Sequence, residues 1–300
     1  MVFPPVSAVI ATRNRPEMLK NALQAVCQQT YQGSIECIVV FDRTDIDDSI
    51  VSENPQRAVR AVTNTRSPGL AGARNSGIIA SNGEFVAFCD DDDIWHPTKI
   101  EKQIEQMGSA IASATGVVID YAGKQSVRIP SRDTITLQQV VRHRRMEAHP
   151  SSVLVRRAAL TGELGMIDEA LPGSFAEDYD FMIRLLQAGH VSIVEEALVT
   201  IRWGQSLFAK DWATIVRAID YLIAKHEIFS KDRRALARLY GQRGFAEAAM
   251  GNRSRALRDV WRTVRLYPLE KRTSVTLPVV LGLISPERVM HWANERGRGI

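Results

Sequence analysis

Four consecutive carboxylates, Asp90-Asp91-Asp92-Asp93, directly follow an apolar stretch from Glu84 to Cys89. Repulsion within such a run raises the pKa values of its members and destabilises a fold unless a cation neutralises them. At a strand end in a cleft, the run makes a hard-oxygen site suited to Mg²⁺ or Mn²⁺, ions that take one or two carboxylates together with substrate phosphates. Alternation along extended chain turns Asp90 and Asp92 one way and Asp91 the other. The alternative is a solvated acidic loop, which suits a position straight after an apolar strand poorly.

A second acidic group opens the segment from Gly173 to Gly189. Ser174 and Glu177 have the spacing of a capping box, and Phe181, Ile183, Leu185 and Leu186 give the helix a buried side before Gly189 stops it. Glu177 thus has a structural task, whereas Asp178 has none of this kind. The helix dipole favours a carboxylate in the first turn, and one projecting into a cleft can act as a general base. The loop from Ser67 to Asn75 can aim backbone N–H groups and the Arg74 guanidinium at an anion. Close packing of a small-residue helix explains its glycines equally well but leaves Arg74 unexplained. Asp42 is either a turn residue or an acceptor for a base or ribose hydrogen. His149-Pro150 reads as loop. Zinc-type Cys/His spacing, Gly-x-Ser-x-Gly, Gly-x-Gly-x-x-Gly and the phosphate loop ending in Gly-Lys-Ser/Thr are absent, which disfavours dinucleotide oxidoreductases and loop-type ATPases.

These residues need a scaffold that places them together. Val6 to Ala11 suits a buried parallel strand, and Pro16 suits the first position of the helix that follows, with Leu19, Leu23 and Val26 at helical spacing. Further strands are expected at Ile35–Phe41, about 58–62 and Glu84–Cys89. Helices are expected over about Leu70–Ala80 and after a Thr98/Glu101 capping box. Such strand–helix alternation implies a mostly parallel sheet covered on both faces, with ligands bound beyond the carboxyl ends of the strands, where Thr12, Asp42 and Asp90 stand. Later strands are expected at 111–118, 153–155 and 191–199. From Trp212 the pattern is helical. Ala237 to Pro268 resembles one tetratricopeptide-type hairpin, with Gly251 in the turn and Ala256 and Leu257 on its apolar face.

The 300 residues carry 45% hydrophobic and 24% charged side chains, an ordinary globular balance. This length suggests a main domain over 1–210 and a basic helical region over 211–300. Net charge is +4, yet residues 231–300 hold 15 Lys/Arg against 6 Asp/Glu. That tail either meets an anionic membrane surface or nucleic acid, or is a solvated Arg-rich face. No signal-peptide pattern opens the chain, and Cys27, Cys37 and Cys89 lack paired spacing, so the expected location is cytoplasmic, including the inner face of the membrane.

Five segments now fall into a known order: Val9 to Pro16, Glu36 to Asp42, Gly69 to Gly77, Phe88 to Pro97 and Glu177 to Leu185. Together they resemble the family 2 glycosyltransferases, inverting enzymes of GT-A fold. The resemblance implies an α/β GT-A sheet flanked by helices and a C-terminal helical appendage. It implies a nucleotide-sugar donor bound by Ala11, Thr12, Arg13, Asp42, Gly69, Arg74, Asp90 and Asp91, with Asp92 as the metal ligand for Mn²⁺ or Mg²⁺. Asp178 matches the catalytic base, supported by Glu177 and Arg184. The Gln-x-x-Arg-Trp element of processive synthases is missing, and Arg202-Trp203-Gly204-Gln205-Ser206 occupies its region. One sugar would therefore pass to a glycan or lipid-linked acceptor. Nucleic acid is not an expected partner. A sugar-phosphate nucleotidylyltransferase would open with a Gly-rich, Arg-containing loop instead of Thr12-Arg13-Asn14-Arg15. A catalytically silent nucleotide-sugar-binding or partner-docking module would not need both Asp92 and Asp178.

Overall fold

The apolar runs of the first half become strands β1 (Val6–Thr12), β2 (Ile35–Phe41), β3 (Val59–Thr63) and β4 (Phe85–Asp90). They belong to a computed structural model that describes residues 3–144, 149–202 and 211–295. These four strands are parallel, in the order β3-β2-β1-β4. Helices α1 (Pro16–Cys27) and α2 (Leu70–Ala80) connect them. β1, β2 and β4 are buried along nearly their whole length, which is why their sequences are continuously apolar and do not alternate.

The remaining strands are β5 (Ile94–Trp95), β6 (Ala112–Tyr121), β7 (Lys124–Arg128), β8 (Val153–Arg156) and β9 (Val191–Arg202). They extend the sheet in the order β4-β8-β6-β9-β5, with β7 paired to β6. β8 runs antiparallel to both β4 and β6, while β6 and β9 are parallel. The sheet is thus parallel in its first half and mixed in its second. The short β5 and the hairpin strand β7 were not expected from the sequence.

The other helices are α3 (Lys99–Met107), α4 (Leu137–His143), α5 (Arg157–Thr161), α6 (Glu177–Ala188), α7 (Trp212–Lys225), α8 (Ile228–Lys231), α9 (Arg233–Ala249), α10 (Arg253–Leu266), α11 (Arg272–Val280) and α12 (Pro286–Glu295). Two glycines let α2 sit close to its surroundings. A Cβ on Gly77 would lie 2.2 Å from Val9 Cγ1, and one on Gly72 would lie 1.9 Å from the Ser67 carbonyl oxygen. Close packing therefore accounts for these two glycines.

The capping box expected at α3 is not formed. Thr98 is the N-cap residue but makes no side-chain cap bond, because its hydroxyl pairs with His96 Nδ1 at 3.1 Å. Glu101 instead accepts from Thr30 Oγ1 at 2.8 Å.

One apolar cluster runs from the sheet into the helical half. It joins Val9, Val86 and Phe88 to Ile183 and Leu185 on α6, Ile219 and Leu222 on α7, and Leu239 on α9. Polar contacts reinforce this junction. Asp180, fully buried on α6, meets Arg184 Nε at 2.9 Å, Lys225 Nζ at 2.6 Å and His226 Nε2 at 2.8 Å. Asp168 accepts from Lys225 Nζ at 2.5 Å and from the Tyr221 hydroxyl at 2.8 Å. The boundary expected at 210, and Trp203 to Ser206 of the stretch set against the processive element, lie outside the described residues.

The α9–α10 hairpin turns at Gly251, whose φ of 79° favours glycine. Ala256 faces inward as expected, but Leu257 does not. It is 47% exposed, because the α10 face packed on α9 is built from Ala256, Asp259 and Thr263. Among the described residues, no helix is long and apolar enough to cross a membrane.

Candidate active site

Parallel pairing brings the expected strand ends side by side. Ala11 is in register with Asp90, and Thr12 with Phe41, the residue before Asp42. Thr12 Oγ1 donates to Asp91 Oδ2 at 2.9 Å. Asp42 is buried and accepts from Asn64 Nδ2 at 2.8 Å and from the Gly69 amide at 3.2 Å, which fixes the entry to α2. Gly69 has a φ of 117°, a conformation that β-carbon-bearing residues resist.

Arg13 is exposed, whereas Arg15 reaches the aspartates. Its Nη1 lies 3.1 Å from Asp91 Oδ1 and 3.0 Å from Asp92 Oδ2. The reason is Asn14, whose φ of 54° reverses the chain between the two arginines. The strand stops at Asp90, so simple alternation fails after it, and Asp91 and Asp92 turn to the same guanidinium. Arg15 was legible only as part of a turn. Its reach depends on that left-handed residue.

Arg74 explains Glu177. The guanidinium is 3% exposed and bridges Asp90 on β4 to Glu177 on α6, with its carbon 5.9 Å from the centre of the Phe88 ring. The capping box expected from Ser174 and Glu177 is therefore replaced. Gly173, Ser174 and Ala176 all have positive φ, and the twisted chain turns Ser174 away from α6. Ser174 Oγ instead accepts from the Ala71 amide at 3.2 Å, serving the start of α2. Glu177 Oε2 accepts the Asp178 amide at 2.8 Å. The first turns of α2 and α6 are thereby tied to each other and to the aspartate run.

His149, which reads as loop in the sequence, completes the site. β8 pairs antiparallel with β4, which carries the preceding residues back toward Asp90. His149 Nδ1 lies 3.4 Å from Asp93 Oδ2, and its Nε2 lies 3.7 Å from Asp90 Oδ2. Ser151 Oγ donates to Asp93 Oδ2 at 2.5 Å and accepts the Asp90 amide at 3.0 Å. Asp93, the last carboxylate of the run, is fully buried in this network. Asp90, Asp93 and His149 each offer a ligand atom within 4.8 Å of the others. No sequence spacing signals this trio, because it depends on strand pairing. Asp92 stands outside it, against Arg15.

The electrostatics divide the run. Burial opposes ionisation of Asp90, but Arg74, His149 and Arg15 outweigh it and hold its carboxyl below the ordinary range. Burial together with Asp90 and Asp91 pushes Asp92 up to about 6. Burial and the neighbouring Asp90 lift Asp93 well above its usual value, and burial also raises Asp91. Burial keeps His149 below its normal value despite the carboxylates around it, so its imidazole is neutral near pH 7. Two carboxylates and a neutral imidazole at this separation are a donor set that a divalent cation fits after small adjustment. The raised Asp92 and Asp93 are what a cation would relieve.

Asp178 differs from the run. Its side chain is 26% exposed and its two oxygens lie 3.2 and 3.5 Å from Arg144 Nη2. Burial opposes its charge, but Arg144 and His149 prevail and hold it below the usual carboxylate range. It is therefore ionised at neutral pH. Arg184, expected to support it, bonds elsewhere: to Asp180 at 2.9 Å, to the Leu164 carbonyl at 2.7 Å and to the Met166 carbonyl at 2.9 Å. Its helical position behind Asp178 was readable from the sequence, but its partners were not.

Comparison with known proteins gives the same architecture. Residues 7–161 match the model of the family described as Glycosyl transferase family 2. The succinoglycan biosynthesis protein ExoO of Rhizobium meliloti (strain 1021) is 26% identical over 311 residues, spanning 96% of this chain and 84% of that protein. The Escherichia coli UDP-Glc:alpha-D-GlcNAc-diphosphoundecaprenol beta-1,3-glucosyltransferase WfgD is 32% identical over 102 residues, which is 34% of this chain and 40% of that protein. The mannosyltransferase PcManGT from Pyrobaculum calidifontis, solved in complex with GDP-Man and Mn²⁺, superposes with a TM-score of 0.59 at 16% identity, covering 96% of this chain and 83% of that one. The fold is the GT-A arrangement that the sequence led us to expect.

Proposed function

The chain belongs to glycosyl transferase family 2, and from that premise we propose that it moves one sugar from a UDP- or GDP-type nucleotide sugar to a hydroxyl of a glycan or lipid-linked acceptor, with inversion. The observation that carries the proposal is a division of labour among carboxylates. A crowded run at the strand ends, with Asp92 at about 6, needs a cation or a bound ligand to settle its charge. A separate, ionised Asp178 is held by Arg144.

Asp92, with 20% of its side chain exposed, is the proposed ligand of Mn²⁺ or Mg²⁺ and would leave Arg15 to join the neighbouring donors Asp90, Asp93 and His149. Bound there, the cation would act as a Lewis acid toward the charge developing on the departing nucleoside diphosphate. Thr12, Asp42 and the Gly69 turn form the floor proposed for the nucleoside, beside Ala11. Arg13, exposed next to them, is proposed to contact the nucleotide from the rim. Arg74 fixes Asp90 against Glu177 and so acts as a positioning residue.

Asp178 takes the proton of the acceptor hydroxyl as that oxygen attacks the anomeric carbon. The bond from this carbon to the diphosphate oxygen breaks, its electron pair leaves with the nucleoside diphosphate, and the anomeric configuration inverts. The carboxylate must come within about 3 Å of the hydroxyl, or one water away. Arg144 keeps Asp178 ionised and oriented until then.

A lipid-linked acceptor is supported by the acceptor in the name of the E. coli relative, alpha-D-GlcNAc-diphosphoundecaprenol. We place the reaction in the cytoplasm, at the inner face of the membrane. The domain division at 210 is likewise our reading, with the helices beyond it packed onto the catalytic sheet.

The test incubates the purified chain with UDP- and GDP-sugars, with and without Mn²⁺, and a diphosphate-linked short-chain lipid sugar. Product configuration is then read by NMR. Transfer with inversion is expected. Absence of transfer and hydrolysis for every donor, together with no metal-dependent thermal shift by any nucleotide, would overturn the proposal.

A further inference from the structure

Helix α10 carries five arginines and one acidic residue, Asp259. Asp259 is buried and bound by Arg243 Nη2 at 2.6 Å, so the outer face of the helix presents no exposed acid. Arg253, Arg258 and Arg265 are exposed there. An Arg-rich helix that only faces water would fill the rest of this surface with polar residues. Instead, Leu257, Trp261 and Val264 are 47%, 60% and 41% exposed. Their spacing of i, i+4 and i+7 puts them on one line of the helix, with Arg258 and Arg265 along one side and Arg253 on the other. The Arg265 guanidinium carbon sits 5.3 Å from the centre of the Trp261 ring. Leu281 and Leu283, after α11, are exposed as well.

We infer that this face of α10 docks on an anionic lipid bilayer, with Leu257, Trp261 and Val264 entering the headgroup boundary and the flanking arginines meeting lipid phosphates. An apolar stripe containing Trp, bordered by Arg, is the pattern of a helix lying in a membrane interface. The charge commits the occupant. A protein partner covering the stripe would have to bring its own acids to three exposed arginines, whereas an anionic leaflet supplies them everywhere. The inference deepens the proposed lipid-linked acceptor and rests on it only for its purpose, because the surface is defined without the active site.

Flotation of the full chain with vesicles tests this. One set is phosphatidylcholine alone and the other contains phosphatidylglycerol as well. Binding is expected only to the anionic vesicles and should weaken with salt. Leu257→Ser with Trp261→Ser should lower partitioning about tenfold or more, and Arg258→Gln with Arg265→Gln should do the same while flattening the salt dependence. Melting temperature and the nucleotide-induced shift, measured without vesicles, should match the parent in both variants. Equal binding to neutral vesicles, no binding at all, or full binding by the Leu257/Trp261 variant would overturn the inference. So would a sedimentation profile in which the parent self-associates and this variant does not. A chain that ignores vesicles yet keeps its nucleotide shift and transfer activity sinks this surface alone. A chain that floats but shows neither sinks the proposed transfer and leaves the surface standing.

Discussion

Two groups of buried carboxylates meet near the start of α6, and their charges are balanced in opposite ways. Asp180 has two cationic neighbours, Arg184 and Lys225, and the His226 imidazole, all within 3.0 Å. Burial opposes its charge, yet these partners hold its carboxyl far below the usual range. The run Asp90 to Asp93 has four carboxylates for Arg74 and Arg15, and Arg74 is shared with Glu177. Asp92 and Asp93 are pushed up in consequence. The satisfied cluster joins helices, while the frustrated one stands at the carboxyl ends of the parallel strands. Burial alone does not mark a binding site. An excess of like charge that the fold leaves uncompensated does.

The largest effect should come from Asp178, which belongs to neither group. Asp178→Asn should lower kcat by about 10²–10⁴-fold while leaving donor affinity and melting temperature nearly unchanged. A loss confined to KM would assign the base elsewhere. Next, Asp180→Ala removes the common partner of Arg184, Lys225 and His226. It should destabilise the chain by about 3–5 kcal/mol in denaturant titration, since Arg184 and Lys225 lose a buried counter-charge. Unchanged stability would break the contrast between the clusters.

Asp92→Asn should move stability the other way. The folded carboxyl sits at about 6, above its unfolded value, so ionisation disfavours the fold and stability falls as pH rises toward and through 6. The metal-free variant should therefore be more stable than the parent by about 3 kcal/mol at pH 7.5 and nearly equal to it at pH 3. Added Mn²⁺ should raise the parent's melting temperature more than the variant's. A variant less stable than the parent at pH 7.5 would remove the charge-frustration argument.

The smallest effect concerns Glu169. Burial opposes its charge, but bonds from Asn75, the Ser67 amide and Arg66 lower its carboxyl to about 2. Its contribution is complete above the unfolded value near 4.5 and is lost as pH falls through 2. Glu169→Gln should cost about 1–2 kcal/mol at pH 7 and nothing near pH 2. An identical deficit at both pH values would reduce Glu169 to packing.

The legibility of the sequence follows the range of the interactions. Parallel strands with both faces covered read as continuous apolar runs, so β1, β2 and β4 and the carboxylates at their ends were visible in local composition. Asp178 was visible because Glu177 had a local explanation and it did not. That explanation proved incorrect: Glu177 bonds to Arg74, 103 residues away in sequence, and Ser174 to Ala71. Capping boxes failed at both α3 and α6 because distant groups offered the same side chains better partners. The second half of the sheet was less legible, since β8 joins antiparallel and β5 has two residues.

The sequence by itself determined the strand–helix alternation, the family, the costly aspartate run and the separate carboxylate at the start of α6. These depend on neighbours within a few residues, or on segment order, and a chain carries both in its letters. Tertiary structure alone decided which charges met. It sent Arg15, not Arg13, to the aspartates through the left-handed Asn14, spent Arg74 on Asp90 and Glu177, and delivered His149 beside Asp93 by pairing β8 with β4. It also turned Leu257 outward beside Trp261, giving a basic tail an apolar edge. Electrostatic energy depends on distance in space, and separation along the chain does not report it.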